Sequence, residues 1–271
     1  LKIGFVSRRE DESVRLLKDL VEHFRARAEI YVEPDIAQRI GVPGTPVEEM
    51  EELGLDLVVS IGGDGTILRA LQRMRDPIPI LGVNMGTLGF LVDVQPKDAI
   101  RDIEHILGGF DVDERTRLRI ILDGKELPPA TNEVALITAN PAKMMDFSVT
   151  VDGYPLEALR ADGMIFATPT GSTAYAMSAG GPIVDPRVDA IVLVPMAPFK
   201  LSSRPWVIPG SSTVDVRLKS PERDAAVVVD GQNIATISST SSVAISRAKT
   251  PARFVKASLD GFYEKVKNKL I

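Results

Sequence analysis

The 271-residue sequence predicts two folds in series. The first is an α/β N-terminal domain built on a Rossmann-like open parallel sheet, and the second an all-β, sandwich-like C-terminal domain. Strand-like and helix-like segments alternate up to about residue 107, as a parallel sheet with helical crossovers requires. After Gly108-Gly109 the pattern changes to many short apolar runs separated by Gly, Pro, Asp and Ser. The closing stretch SLDGFYEKVKNKL regains helical spacing through Leu259, Phe262, Val266 and Leu270, as a helix returning to the first domain would. The expected domains are therefore 1–107 with 258–271 as the returning helix, and 108–257.

In chain order, KIGFVS reads as a buried strand. The stretch from Ser13 to Arg27 carries Val14, Leu17, Leu20, Val21 and Phe24 at helical spacing, with Asp11 or Ser13 as its cap. EIYVE reads as a second strand, GVPGTP as turns, and the residues around Val47 to Leu53 as a short acidic helix. LDLVVSI is continuous and apolar, the mark of a central parallel strand. A helix, the strand IPILGVN and a helix from Pro96 to Leu107 complete the first domain. The second draws its strands from LRIILDG, DFSVTVDG, MIFAT, AIVLV, TVDVRLKS, AAVVVDG and SSVAIS.

Composition narrows the function. Apolar residues make up 44% of the chain, enough for a substantial core. Lys and Arg number 32 against 37 Asp and Glu, a net charge of −5 that speaks against nucleic acid or an anionic membrane as partner. The sequence has no cysteine, which removes disulfides, thiolate metal sites and cysteine nucleophiles. His23 and His105 sit in helical stretches among charged neighbours and read as solvated positions. No apolar run approaches the roughly 20 residues of a membrane span, and LKIGFVSRRE reads as a strand rather than a signal-peptide core. A cytoplasmic protein is the expectation.

Chemistry concentrates in a few stretches. SIGGDGT ends an apolar strand and opens a helix, placing Gly62, Gly63, Asp64, Gly65 and Thr66 where backbone can approach a ligand and unpaired N–H groups can meet an anion. The carboxylate of Asp64 would repel a phosphate there unless it holds a metal or takes a proton from a hydroxyl. GVNMGTLGFL, with Asn84, Gly86, Thr87 and Gly89, is a second glycine-rich turn after a strand, and a tight turn alone would explain it. In TNEVAL, Asn132 and Glu133 stand side by side, as they would in any loop or cap. The stretch from Arg160 to Pro186 holds Asp162, Thr170, Thr173, Ala174, Tyr175 and Ser178 in a hydroxyl-rich entry to a short helix, more such groups than capping needs. The P-loop, G-x-G-x-x-G and G-x-S-x-G signatures are absent.

The ordered set GGDGT (62–66), NMGTLGF (84–90), NEVAL (132–136), DGMIFATPTGSTAYAMSAGGPIV (162–184) and VVDGQ (228–232) resembles the NAD kinases over most of the chain. GGDGT alone is shared with 6-phosphofructokinases and with diacylglycerol and sphingosine lipid kinases. In the lipid kinases an Asn-Glu pair follows it closely, and TPTGSTAY has no counterpart there. One departure is PMAPFKLSSRP, where Phe199 and Lys200 stand in place of the family's His-Ser pair. Lys200 there is either a source of positive charge or a solvated lysine.

The resemblance implies an α/β domain beside a β-rich one with the site in the cleft, and transfer of a terminal phosphoryl group to the 2′-hydroxyl of the adenosine ribose of NAD. Mg²⁺ or another divalent cation would assist, and ATP or inorganic polyphosphate would be the donor. Asp64 would face the hydroxyl, with Gly65 also against NAD. Asn132 and Thr173 would hold the adenine, Glu133 the ribose, and Asp162, Ala174 and Tyr175 the rest of the dinucleotide, with Thr170 and Ser178 beside them. Gly62, Gly63, Gly65, Thr66, Asn84, Gly86, Thr87 and Gly89 would line the donor phosphates. Arg160, Lys200, Asp230 and Gln232 are further candidates. A homodimer or homotetramer is implied, because the family commonly completes its NAD site from a neighbouring subunit. The alternatives are a kinase with another small-molecule or lipid acceptor and a dinucleotide-binding regulator without chemistry.

Overall fold

A computed structural model describes residues 1–86, 89–140, 143–156, 158–219, 223–256 and 261–270. The chain divides into two compact units, Leu1–Glu114 with Pro251–Ile271, and Arg115–Thr250.

The first unit is built on a six-stranded sheet in the order Glu29–Val32, Lys2–Ser7, Leu57–Gly62, Ile80–Asn84, Ala252–Val255, Val112–Arg115. Its first five strands pair in parallel. Leu57–Gly62 is buried along its whole length, as its unbroken apolar run requires. Ile3, Phe5, Val59 and Ile61 face the helices Asp11–Phe24 and Ala99–Ile106 on one side. Val6, Val58 and Ile80 face Val47–Glu52 and Asp64–Gln72 on the other. Helices thus cover both faces of an open α/β sheet, which leaves the carboxyl ends of the strands as the place for ligands.

Details depart from the sequence reading. The first helix starts at Asp11 with Glu10 as its cap residue and no side-chain cap bond, so neither Asp11 nor Ser13 caps it; Ser13 is buried and receives Arg8 Nε at 3.0 Å. A helix not foreseen, Pro34–Ile40, begins on a proline and ends at Gly41 with φ of 74°. The closing helix runs Phe262–Leu270, and Leu259 lies outside the described residues.

In the second unit a seven-stranded and a six-stranded antiparallel sheet share one core. Period-2 alternation sends Leu118, Ile120, Phe147, Val149, Val214 and Val216 inward from one sheet, and Val134, Leu136, Met164, Phe166, Val227 and Val229 from the other. The opposite face of the six-stranded sheet, through Ala135, Ile165 and Val192, is covered by Ala176 of the short helix Tyr175–Ser178. Among the described residues no helix is long and apolar enough to cross a membrane.

Candidate active site

The strand Leu57–Gly62 passes through Gly63 into the helix Asp64–Gln72, so Asp64 is the first helical residue and favours the positive helix end. Its side chain turns outward to the second glycine-rich turn. Asp64 Oδ2 accepts the Phe90 N–H at 2.7 Å and Oδ1 the Leu91 N–H at 3.0 Å. Gly89 is a glycine for that reason, since a Cβ there would stand 2.0 Å from Asp64 Oδ1. The two turns are joined again where Met85 N–H donates to the Gly62 carbonyl at 3.0 Å, and Asn84 Oδ1 accepts the Gly86 N–H at 3.0 Å. Thr87 lies outside the described residues. Asp64 remains half-buried and Gly65 exposed. A Cβ at Gly63 or Gly65 would meet nothing within 4 Å, and neither residue has a positive φ. The fold itself therefore makes no demand for glycine at either position, and the open space above them admits a ligand.

Arg8 and Arg69 are site features that the sequence reading missed. Arg8 Nη2 donates to the Met85 carbonyl at 2.5 Å, and Arg69 Nη2 to the Ser7 carbonyl at 3.3 Å. Both line a cavity at the carboxyl end of Lys2–Ser7, with Glu33, Asp35 and Arg73 across it. The available signal was the basic pair Arg8-Arg9 directly after a buried strand.

In the second unit a different aspartate organises the site. Asp230, at φ of 45° on the turn after Ala225–Val229, accepts Thr131 N–H at 2.8 Å, Asn132 N–H at 2.8 Å and Glu133 N–H at 3.0 Å. Burial pushes its carboxyl up to about 6, against the three amides and Arg117, which favour the charge. Arg117 is itself buried and donates to Thr250 Oγ1 at 2.7 Å. Glu133 is pushed further, to about 8, by burial first and by the charge of Asp230 second, while the Tyr175 backbone amide acts the other way. Its Oε2 is buried without a hydrogen-bond partner. At neutral pH Glu133 therefore keeps a proton, and Asp230 is mostly ionised.

The hydroxyl-rich segment wraps this turn. Thr168 Oγ1 donates to the Thr131 carbonyl at 2.7 Å and accepts the Gly171 N–H at 3.0 Å. The segment then makes a 3₁₀ turn, Thr170–Thr173, and the helix Tyr175–Ser178, with Ala174 between them. Gly171 lies so close that a Cβ would stand 2.0 Å from the Asn132 carbonyl oxygen. Thr170 and Thr173 are nearly buried, whereas Tyr175 and Ser178 are exposed. Gln232 opens the strand after Asp230.

Asp162 and Arg160 are not part of that cluster. Strand pairing sets Ala167 opposite Glu133 and Gly163 opposite Ile137, so Asp162 sits at the far end of the strand, roughly 16 Å away. There Arg160 lies 5.5 Å from the centroid of the Phe199 ring, next to Lys200. The nearby edge strand Trp206–Pro209 exposes Trp206 and Val207.

Residues 8–110 match the family model of the ATP-NAD kinase N-terminal domain, and residues 131–257 that of the ATP-NAD kinase C-terminal domain. The chain is 51% identical to an NAD kinase of Methanosarcina barkeri over 270 residues, 99% of this chain and 98% of that protein. The crystal structure of an NAD kinase from Archaeoglobus fulgidus in complex with ATP aligns with a TM-score of 0.80 at 30% identity, over 100% of this chain and 97% of that one. Yeast NADH kinase complexed with NADH aligns with a TM-score of 0.91 at 25% identity, over 99% and 87%.

Proposed function

The chain belongs to the NAD kinase family, and on that premise we propose how its residues divide the work. It is an enzyme, a kinase that phosphorylates NAD to give NADP. Acceptors outside this class and a regulator without chemistry are not favoured. The donor is ATP, in keeping with the ATP-bound structure of the Archaeoglobus relative. Polyphosphate, the other donor the family uses, is the competitor to compare.

In the proposed reaction the 2′-oxygen of the adenosine ribose bonds the terminal phosphorus as the bond from that phosphorus to the bridging oxygen breaks. ADP leaves with the electron pair, and the hydroxyl proton passes to Asp64. Catalysis of this kind is mostly positioning and charge neutralisation. The open space over Gly63 and Gly65 is the observation that carries the reading, because it leaves the backbone between Asp64 and the helix start clear for phosphates to approach. Asn84, Gly86 and Gly89 shape the second wall of the donor site.

Asn132 and Thr173 hold the adenine, and Glu133, protonated at neutral pH, can both donate to and accept from ribose hydroxyls. Thr170, Ala174, Tyr175 and Ser178 border the dinucleotide. The ion that assists is Mg²⁺ or a similar cation. Among the described residues no group of three or more carboxylate or imidazole side chains is arranged to hold it, and we assign it to the donor's phosphates.

Asp162 and Arg160 serve NAD bound to a neighbouring copy. Their distance along the strand from Glu133 favours this, as do Trp206 and Val207 exposed on an edge strand. The protein is accordingly a homodimer or homotetramer, and full activity in a particle of monomer mass by light scattering would contradict that. The cytoplasm, where both substrates are at hand, is its proposed location. Incubation with NAD, Mg²⁺ and ATP, or polyphosphate at matched phosphoryl concentration, tests the whole reading. NADP phosphorylated at the 2′-position is the expected product, and none from either donor would overturn it.

A further inference from the structure

The helix Phe262–Leu270 exposes Tyr263, Glu264, Lys267 and Asn268 and turns Lys265 and Lys269, one turn apart, inward. Lys265 has acceptors there: its Nζ bonds Asp93 Oδ1 and the Phe90 carbonyl. Lys269 has none. Its Nζ is buried 3.7 Å from the centroid of the Phe90 ring and donates no hydrogen bond. A ring face attracts an ammonium group but does not accept its three protons, so the group is held short of partners. Phe90 is also the residue whose N–H binds Asp64 at 2.7 Å. The cation therefore rests on the very loop that Asp64 clasps, close enough for the Asp64 charge to act on it.

Among the described residues the charged groups facing Lys269 are Asp64, Asp93 and Lys265. Asp93 is already neutralised by Lys265, and Asp64 already accepts two amides. Among the described residues nothing accepts a hydrogen bond from the Lys269 ammonium, and the sequence has no P-loop lysine to meet a terminal phosphate. We propose that Lys269 is a further catalytic residue of this enzyme, the ammonium that swings off the Phe90 ring to meet the terminal phosphoryl oxygens of the donor. It keeps its proton throughout and acts by charge, leaving proton transfer to Asp64. The inference rests on the kinase reading above and adds to it the group that replaces a P-loop lysine.

Burial holds the ammonium down to about 8, with Lys265 acting the same way and Asp64 and Asp93 opposing. The charge is therefore present below that pH and lost as pH rises through it, and phosphate contact would move the transition upward. Arginine at this position stays charged throughout. The test compares wild type, Lys269→Arg and Lys269→Met by kcat from pH 6 to 10, with melting temperature as control. Lys269→Met should lower kcat roughly 30-fold at pH 7 with KM for NAD within about twofold. Wild type should lose kcat at alkaline pH, about tenfold per unit beyond the transition, and Lys269→Arg should lack that limb. Equal kcat in Lys269→Met, or the same alkaline limb in wild type and Lys269→Arg, would overturn the assignment. If Lys269→Met is unfolded, the Arg comparison decides alone. Should wild type make no NADP, the kinase reading fails separately, and Mg²⁺–ATP affinity across the same pH range decides for Lys269. Weakening above pH 8 in wild type but not in Lys269→Arg supports a phosphate contact, and identical profiles refute it.

Discussion

Asp64 and Asp230 make the same kind of bond in opposite settings. Each is an aspartate at a turn after a buried strand, and each staples a remote segment by accepting backbone N–H groups, two for Asp64 and three for Asp230. Asp230 is nearly buried, and its carboxyl is fully engaged with Thr131, Asn132 and Glu133. Asp64 is half-exposed, starts a helix, and stands between two glycines with open space beside them. A carboxylate that only anchors backbone has no need of that opening. Burial, more than hydrogen bonding, separates the positioning aspartate from the one available to substrate.

The largest effect should come from Asp64→Asn. The amide still accepts one N–H from the Phe90–Leu91 pair but cannot take a proton, so turnover should fall by roughly 100-fold or more while NAD affinity changes much less. Near-normal turnover would reduce Asp64 to a staple. Asp230→Asn should do the reverse. Its NH₂ group would confront an N–H that now has an acceptor, at a cost of about 1–3 kcal/mol, and loosen the Asn132–Glu133 turn. KM for NAD should rise about tenfold with kcat nearly kept; unchanged KM would show that the turn holds without its anchor.

Gly65→Ala is subtler. Its Cβ meets no protein atom, and alanine suits a helix start better than glycine by about 0.5–1 kcal/mol. The melting temperature should hold or rise while KM for ATP rises about fivefold. A variant that melts lower, with KM unchanged, would mean that the glycine serves the fold. The last variant, Glu133→Gln, is read in stability. The folded carboxyl titrates at about 8 against an ordinary value of 4.5. The proton it keeps favours the folded state fully below 4.5, and that advantage is lost as pH rises to about 8. Gln lacks this loss, so the variant's stability relative to wild type should grow between pH 5 and 8, by roughly 3 kcal/mol. Urea unfolding at the two pH values measures it, and a constant difference would place Glu133 in a wetter environment.

Much of this was legible in the residues. Unbroken apolar runs marked the central parallel strands, and many short apolar runs separated by Gly, Pro, Asp and Ser marked the sandwich. The turns at Gly62–Thr66 and Thr168–Tyr175 announced themselves by residue types that plain turns do not need, whereas Asn132-Glu133 gained meaning only from the ordered set of motifs around it. The staples were harder to see, because Asp64 and Asp230 bind backbone N–H groups, which carry no side-chain signature, and their partners lie 26 to 99 residues away. Pro34–Ile40 was hidden by its brevity and its Pro and Gly ends. Ala252–Val255 follows the β-rich strands in sequence yet completes the parallel sheet, a choice set by tertiary pairing rather than by local pattern. Lys269 carries no signal of its own in the closing stretch, and only the packing of that helix on Phe90 distinguishes it from Lys267.

The contrast between the two aspartates meets its most direct test in one steady-state experiment, with kcat and KM for NAD measured side by side for wild type, Asp64→Asn and Asp230→Asn. The expected result is a crossed pattern, kcat lost in Asp64→Asn with KM nearly kept, and KM raised in Asp230→Asn with kcat nearly kept. Loss of the same parameter in both variants would contradict it, and would make both aspartates anchors of equal kind.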